Sequence, residues 1–170
     1  MKKITVLTIT VIIITFFSTK AMAQTETTDA GAKILTAMTI TEGTSMHFGT
    51  MTVPSTIAEV DLAVGGTVTI ASGTLTLLAQ APTSHAAAYD ITGDANATYT
   101  IILPTNGNIS ITNGFMSIPV TDFICSYGSL TSTLNGTGND NFTVGATLQL
   151  GMFQTAGTYT GTFDVSVTYN

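Results

Sequence analysis

Apolar and polar residues alternate along the segment that precedes the final Asn of the chain. The apolar positions of this segment are Tyr159, Gly161, Phe163, Val165, Val167 and Tyr169, and Thr, Ser or Asp stands between them. Successive side chains of a β-strand point to opposite faces, so every large apolar group here falls on one face. The segment is therefore predicted to be a terminal strand with a single apolar face.

The same period of two recurs through most of the chain. The clearest internal example places Phe142, Val144, Ala146, Leu148 and Leu150 on one face. Shorter alternating runs begin at Met38, Met46, Ala58, Val68, Leu75, Tyr99, Ile109 and Met116. Gly-rich and Asn-rich turn sequences separate these runs. Short alternating strands at regular spacing predict an all-β, antiparallel sandwich or barrel.

The first 23 residues have the three parts of an export signal. A short basic start with Lys2 and Lys3 precedes an apolar stretch over residues 4–17, and Ala21 and Ala23 supply the small residues read by signal peptidase. The apolar stretch is shorter than the roughly 20 residues that span a bilayer. Cleavage is therefore expected before Gln24, with no transmembrane segment in the mature chain.

The sequence after the predicted signal divides into a short arm and one domain. Residues 24–33 are predicted to form a short polar arm, and residues 34–170 a single β-sandwich domain. We find no internal repeat and no sign of a second domain. At this length one domain buries roughly two thirds of the surface of its unfolded chain.

Charge is scarce in this sequence. Four basic residues, all lysines, stand against ten acidic ones, and charged residues make up 8% of the chain, compared with about 25% in ordinary soluble domains. Removal of the signal leaves Lys33 as the only basic side chain. Phosphate binding needs clustered Lys or Arg, so nucleic acid is excluded as a partner.

Residues with chemically useful side chains are few and scattered. His47 and His85 lack a neighbouring Cys or His at metal-ligand spacing, and His47 is expected to face solvent from a strand. Cys125 has no second Cys to pair with, so it is either a small buried side chain or half of an intermolecular disulfide. No nucleophile motif is present. The sequence therefore predicts no catalytic residues, no metal site and no cofactor.

Several short motifs occur in an order that resembles a family of secreted bacterial domains known as a domain of unknown function, whose neighbours include fimbrial and pilus-like subunits. They are MHFGT at 46–50, GTVTI at 66–70, AYDITG at 88–93, YTIILP at 99–104, VGATL at 144–148 and GTYTGTFDVSVTY at 157–169. The resemblance covers residues 34–170. It implies an exported β-domain without an established activity.

The final motif also resembles the last strand of chaperone–usher pilins. That resemblance implies an immunoglobulin-like sandwich that is either complete or missing one strand, which the next subunit donates. The candidate donor or strand-pairing residues here are Ile34, Met38 and Ile40. The resemblance further implies that other pilus-like subunits and a periplasmic chaperone are partners. Two features depart from the pilin pattern, because the arm before Ile34 is short and polar and a disulfide is absent.

The sequence as a whole indicates a non-catalytic structural subunit of a bacterial cell surface or fimbrium. Its expected location is outside the cell or in the periplasm. The alternative is a self-contained secreted or periplasmic module that binds carbohydrate or another surface. A hydrolase would require one of the two imidazoles to lie beside a Ser or beside Cys125 in the folded chain.

Overall fold

The computed structural model of this protein describes residues 23–170. The chain divides into two units after Lys33, and the larger of them, Ile34–Asn170, is compact. Residues 23–33 are exposed and have no regular secondary structure. The predicted export signal lies outside the described residues except for its last position, so cleavage before Gln24 stays a prediction.

The larger unit is built from strands. They are β1 (Thr39–Thr44), β2 (His47–Phe48), β3 (Thr50–Met51), β4 (Ala58–Leu62), β5 (Val68–Ser72), β6 (Leu77–Leu78), β7 (Ser84–His85), β8 (Ala87–Thr92), β9 (Thr98–Ile102), β10 (Ile109–Thr112), β11 (Ser117–Cys125), β12 (Thr131–Thr133), β13 (Asn139–Leu150) and β14 (Ser166–Tyr169). Every pairing between them is antiparallel. Between residues 23 and 170, no helix has the length and apolarity that crossing a bilayer requires.

The long strand β13 organises a seven-stranded sheet, in which β1, β8, β13, β11 and β10 lie in that order. One edge of β13 pairs with β8 over its first half and with β4 over its second half. Strand β5 extends the sheet beyond β4. A second sheet contains β12, β9 and β14, and two short ribbons pair β2 with β7 and β3 with β6.

Two clusters of buried side chains form the core. Tyr99 and Ile101 of the second sheet pack with Phe142 and Val144 of β13 and with the inward face of β8. The second half of β13 contributes Leu148 and its neighbours to the other cluster, which the residues of the short ribbons cover. The alternation predicted for β13 is observed, because its apolar residues are buried while the intervening residues, apart from the buried Gly145, are more exposed. The prediction of an all-β, antiparallel sandwich is confirmed.

Gly145 lies where β13 changes its partner from β8 to β4. Val144 pairs with Ala87 of β8, and Ala146 pairs with Leu62 of β4. A Cβ atom at position 145 would collide with the carbonyl oxygen of Leu62 and would lie 3.0 Å from the carbonyl carbon of Ala63. The backbones therefore approach so closely that only glycine fits.

The terminal strand is shorter than its alternation predicts. Only Ser166–Tyr169 pairs continuously, with β9 of the second sheet. Upstream, Thr160 makes an isolated bridge to Thr112 at the edge of the first sheet. The chain thus leaves one sheet and joins the other, and the residues between them have no partner strand. Phe163 and Val165 still pack against the core, which preserves the predicted apolar face.

Candidate functional site

The candidate donor segment supplies the first strand of its own domain. Strand β1 pairs with β8, with Ile40 opposite Ile91. Met38 and Ile40 pack against the core cluster that contains Tyr99. Ile34 is 92% exposed and contributes nothing to that core. The three residues named together from the sequence therefore divide into two that belong to the sandwich and one that stands outside it.

Tyr169 fixes the end of the chain to two other segments. Its hydroxyl accepts a hydrogen bond from the backbone N–H of Asp94 at 2.6 Å and donates one to the carbonyl oxygen of Thr36 at 2.8 Å. A Cβ atom at Gly93 would collide with this hydroxyl and with the side chain of Leu134. The terminal Tyr is thus a structural residue that ties β14 to the entry of β1.

Tyr159, the first residue of the predicted terminal strand, has a similar local role. Its hydroxyl donates to the carbonyl oxygen of Thr155 at 2.7 Å and accepts from the side-chain amide of Gln154 at 3.0 Å. Phe163 packs its ring against Phe123, with the ring centroids 5.0 Å apart. Val167 is partly buried against the same core cluster as Tyr169. These contacts give the residues structural roles in the sandwich.

A polar cluster surrounds Asp140, which stands between Asn139 and Asn141 in the sequence. Its carboxylate accepts hydrogen bonds from the hydroxyls of Tyr99 at 2.9 Å, Tyr127 at 2.6 Å and Ser132 at 2.8 Å. The backbone N–H of Asn141 donates a fourth bond at 2.9 Å. The carboxylate therefore connects β13 to β9 and β12 across the sandwich.

The hydrogen bonds decide the charge state of this cluster. Burial by itself would raise the pKa of Asp140, but the bonds from Tyr127, Ser132, Tyr99 and the Asn141 backbone outweigh it and lower the pKa below its ordinary value of 3.8. Burial and the hydrogen bond to Asp140 raise the pKa of Tyr99. At neutral pH the carboxylate is charged and the phenol is neutral, as their hydrogen bond requires.

The two histidines, 38 positions apart in the sequence, are paired directly across the ribbon of β2 and β7. Their ring centroids lie 5.8 Å apart. Nδ1 of His47 accepts a hydrogen bond from the backbone N–H of Gly49 at 2.8 Å, whereas Nδ1 of His85 is buried and has no hydrogen-bond partner. His47 is half-buried while its neighbour Phe48 is buried, so the expectation that His47 faces solvent is met only in part, because the opposite strand brings His85 beside it.

Stability should fall as pH drops through the titration range of His47. Burial, followed by the nearby His85, lowers the pKa of His47 below 6.5. The unfolded chain therefore takes up a proton at higher pH than the folded chain. The contribution of neutral His47 to stability is complete above pH 6.5 and declines below it. His47→Asn keeps an acceptor for Gly49 but does not titrate. Urea midpoints at several pH values from 7.5 to 5.5 should decline less in this variant than in the wild type, and parallel declines would contradict the assignment.

An open cleft lies beside His85. Its volume is about 850 Å³, within the usual range for small-molecule sites. Its lining includes Phe48, Thr50, Ser84, His85 and the turn Gly65–Gly66. The Ser84 hydroxyl donates to the carbonyl oxygen of Gly66 at 2.9 Å. The cleft therefore combines one aromatic side chain with hydroxyl and imidazole groups.

Cys125 occupies neither the cleft nor the histidine pair. It has a free thiol that is partly buried against the core cluster of Tyr99. Burial raises the pKa of this thiol, although a hydrogen bond from the Tyr127 backbone acts in the opposite direction. A thiol with a raised pKa is a weak nucleophile at neutral pH.

Comparison with known proteins places this fold in a family. A family model described as a domain of unknown function, DUF4402, matches residues 38–169. The match runs from the residue before β1 to the last residue of β14. No curated protein and no solved structure matches the chain. This chain belongs to the DUF4402 family of domains of unknown function.

Proposed function

We propose that this protein is an exported structural subunit of a bacterial cell surface or fimbrium, related to pilus subunits and without catalytic activity. The observation that carries the proposal is the chemistry of the sheet edges. Five strands of the two larger sheets have a single partner strand, and the outer edge of one of them, β10, is also bridged by Thr160; the five are β1, β5, β10, β12 and β14. Among them only β1 contains a charged residue, Glu42, and none contains Pro.

Edge strands of this composition favour association with another chain. An edge strand exposes backbone N–H and C=O groups that pair readily with another chain, and proteins that stay monomeric usually place Lys or Pro there. Strands such as β5 and β12 contain only uncharged residues and are mostly exposed. An exported protein with such edges is suited to pairing with neighbouring subunits or with a chaperone that covers an edge until assembly.

The arrangement of the nucleophilic side chains supports a non-catalytic role. The Ser84 hydroxyl donates to a backbone carbonyl and not to an imidazole. The Cys125 thiol is partly buried in the core. The groups that a hydrolase would use therefore have structural partners.

The proposal is tested by expressing the full chain in a bacterium with an outer membrane. The expected result is a product in the periplasm or on the surface that begins at Gln24 by mass spectrometry and forms oligomers in analytical ultracentrifugation. Ala71→Lys on β5 together with Thr131→Lys on β12 should reduce the oligomers. Thr83→Lys adds charge outside the strands and serves as the matched control. A cytoplasmic monomer of full length would refute the proposal.

A second function has support from one observation, the open cleft beside His85. We propose as the alternative that this cleft binds a neutral carbohydrate, because Thr50 and His85 offer hydrogen bonds next to the apolar face of Phe48. Binding to a glycan array that is lost in His85→Ala, with the fold intact, would favour this alternative. The absence of binding to any glycan on the array would refute this alternative.

A further inference from the structure

Six large apolar side chains are exposed at one end of the seven-stranded sheet. They are Val53 (48% exposed), Ile57 (75%), Phe115 (94%), Met116 (48%), Met152 (58%) and Phe153 (68%). They lie on the loop before β4, on the turn between β10 and β11, and on the loop after β13. Ala58 at the start of β4 pairs with Leu150 at the end of β13, which places two of these loops side by side. We call these six side chains the apolar end.

Hydrogen bonds fix the loops of the apolar end. The backbone N–H of Phe153 donates to the carbonyl oxygen of Pro54 at 2.9 Å. The side-chain oxygen of Asn113 accepts from the backbone N–H groups of Phe115 at 3.0 Å and Met116 at 2.8 Å. Phe153 has a φ of 53°, which is unfavourable for a bulky residue. The backbone thus holds Phe153 outward at a conformational cost.

The apolar end also lacks charge. Residues 52–57, 113–116 and 151–158 include no Asp, Glu, Lys, Arg or His. A partner that covers these loops therefore removes apolar side chains from water without stripping the hydration shell of an ion. Exposed apolar groups gathered in this way mark interaction surfaces in soluble proteins.

A second exposed apolar element lies at the opposite end of the sheet. Ile34 is 92% exposed and Leu35 is 37% exposed. The nearby Thr36 is held by the Tyr169 hydroxyl. Thr39 pairs with Thr92, which in turn pairs with Asn139, the first residue of β13. The length of β13, roughly 36 Å at the usual rise per residue, separates this element from the apolar end.

We propose that the apolar end binds Ile34 and Leu35 of a second copy of this chain. This inference rests on the proposed function as a structural subunit and names the contact between successive subunits. One copy cannot satisfy its own contact, because the two surfaces lie at opposite ends of the same sheet. A contact between two different surfaces repeats from copy to copy and builds a filament or ring. The apolar end and the sheet edges are separate surfaces, so each is tested separately.

The experiment uses variants that remove one surface at a time. Phe115→Asp combined with Phe153→Asn replaces the two aromatic side chains of the apolar end, and Asn tolerates the φ of position 153 better than Phe does. Ile34→Asp removes the other surface. Leu130→Asp is the matched control, because Leu130 is 45% exposed outside both surfaces. Thermal unfolding confirms that each variant is folded, and sedimentation measures self-association.

Each single-surface variant should associate about tenfold or more weakly than the wild type, as expected for losing one or two buried apolar side chains. The control should match the wild type. A mixture of the two defective variants should form dimers that grow no further, because it contains one intact pair of surfaces. This complementation is specific to a contact between unlike ends.

Three results would overturn the inference. Wild-type association in the apolar-end variant, with loss only when β5 and β12 are charged, would leave the proposed function standing and reject this contact. Association that is lost in the apolar-end variant but kept in Ile34→Asp would show that the apolar end binds another surface. A wild type that is monomeric at all concentrations would refute both proposals.

Discussion

Gly145→Ala is expected to lower the free energy of unfolding by roughly 3 kcal/mol, the upper part of the range for overpacked cores. The added methyl group would meet the carbonyl oxygen of Leu62 and the backbone between Ala63 and Val64, the latter with its nitrogen at 3.1 Å. A flexible side chain could move aside, but these are backbone atoms at the end of β4 and just after it. Strand β4 would have to shift, which would disturb its pairing with β13.

Urea unfolding followed by circular dichroism measures this effect. Gly128→Ala is the control, because no atom lies within 4 Å of a Cβ atom built at Gly128. We expect the control to unfold at nearly the wild-type midpoint. Equal midpoints for the two variants would mean that β13 and β4 are farther apart in solution than they are here.

Asp140→Ala is expected to lower the free energy of unfolding by about 3 kcal/mol, since it leaves three partly or fully buried hydroxyls without the charged acceptor they share. Tyr99 is fully buried, so water cannot replace the lost bond without opening the core. Asp140→Asn should cost less, because the amide keeps one acceptor oxygen. Asp90→Asn on the adjacent strand is the control, because Asp90 is exposed.

The pH dependence identifies the carboxylate as the source of this stability. The pKa of Asp140 is lowered in the folded state. The contribution of its carboxylate to stability is therefore complete above pH 3.8 and is lost as the pH falls through the lower pKa of the folded state. Urea midpoints at several pH values from 5 to 2.5 should therefore decline more steeply in the wild type than in Asp140→Asn. Identical slopes would contradict the assignment.

The identity of the core follows closely from the sequence. Strands β4, β9 and β13 bury the residues that alternate in their sequences. Such local patterns are sufficient because a strand has only two faces, and the apolar one must leave water. The terminal segment obeys the same rule for its side chains. The strand pairing of this segment does not follow from the sequence, because no local sequence feature shows that Thr160 and Ser166 pair with different sheets.

The residues of the candidate sites could be predicted from the sequence much less well than the core. His47 and His85 meet across two strands of two residues each, and neither strand has an alternation long enough to predict its partner. Asp140 stands in an Asn-rich stretch that is typical of a turn, and its role depends on hydroxyls from β9, β12 and the loop at Tyr127. The apolar end combines three loops, each with only two exposed apolar residues. These groupings depend on the order of strands in the sheets.

The sequence by itself determined that this chain is an antiparallel β-domain with few charges and a single basic residue in its predicted mature form. Periodicity and composition act locally, so they can be read without knowing which strands are neighbours. The tertiary structure decided which surfaces the strands create. It assigned Met38 and Ile40 to the sandwich, left Ile34 exposed, and gathered apolar loops at the far end of β13, because strand order and register bring distant segments together.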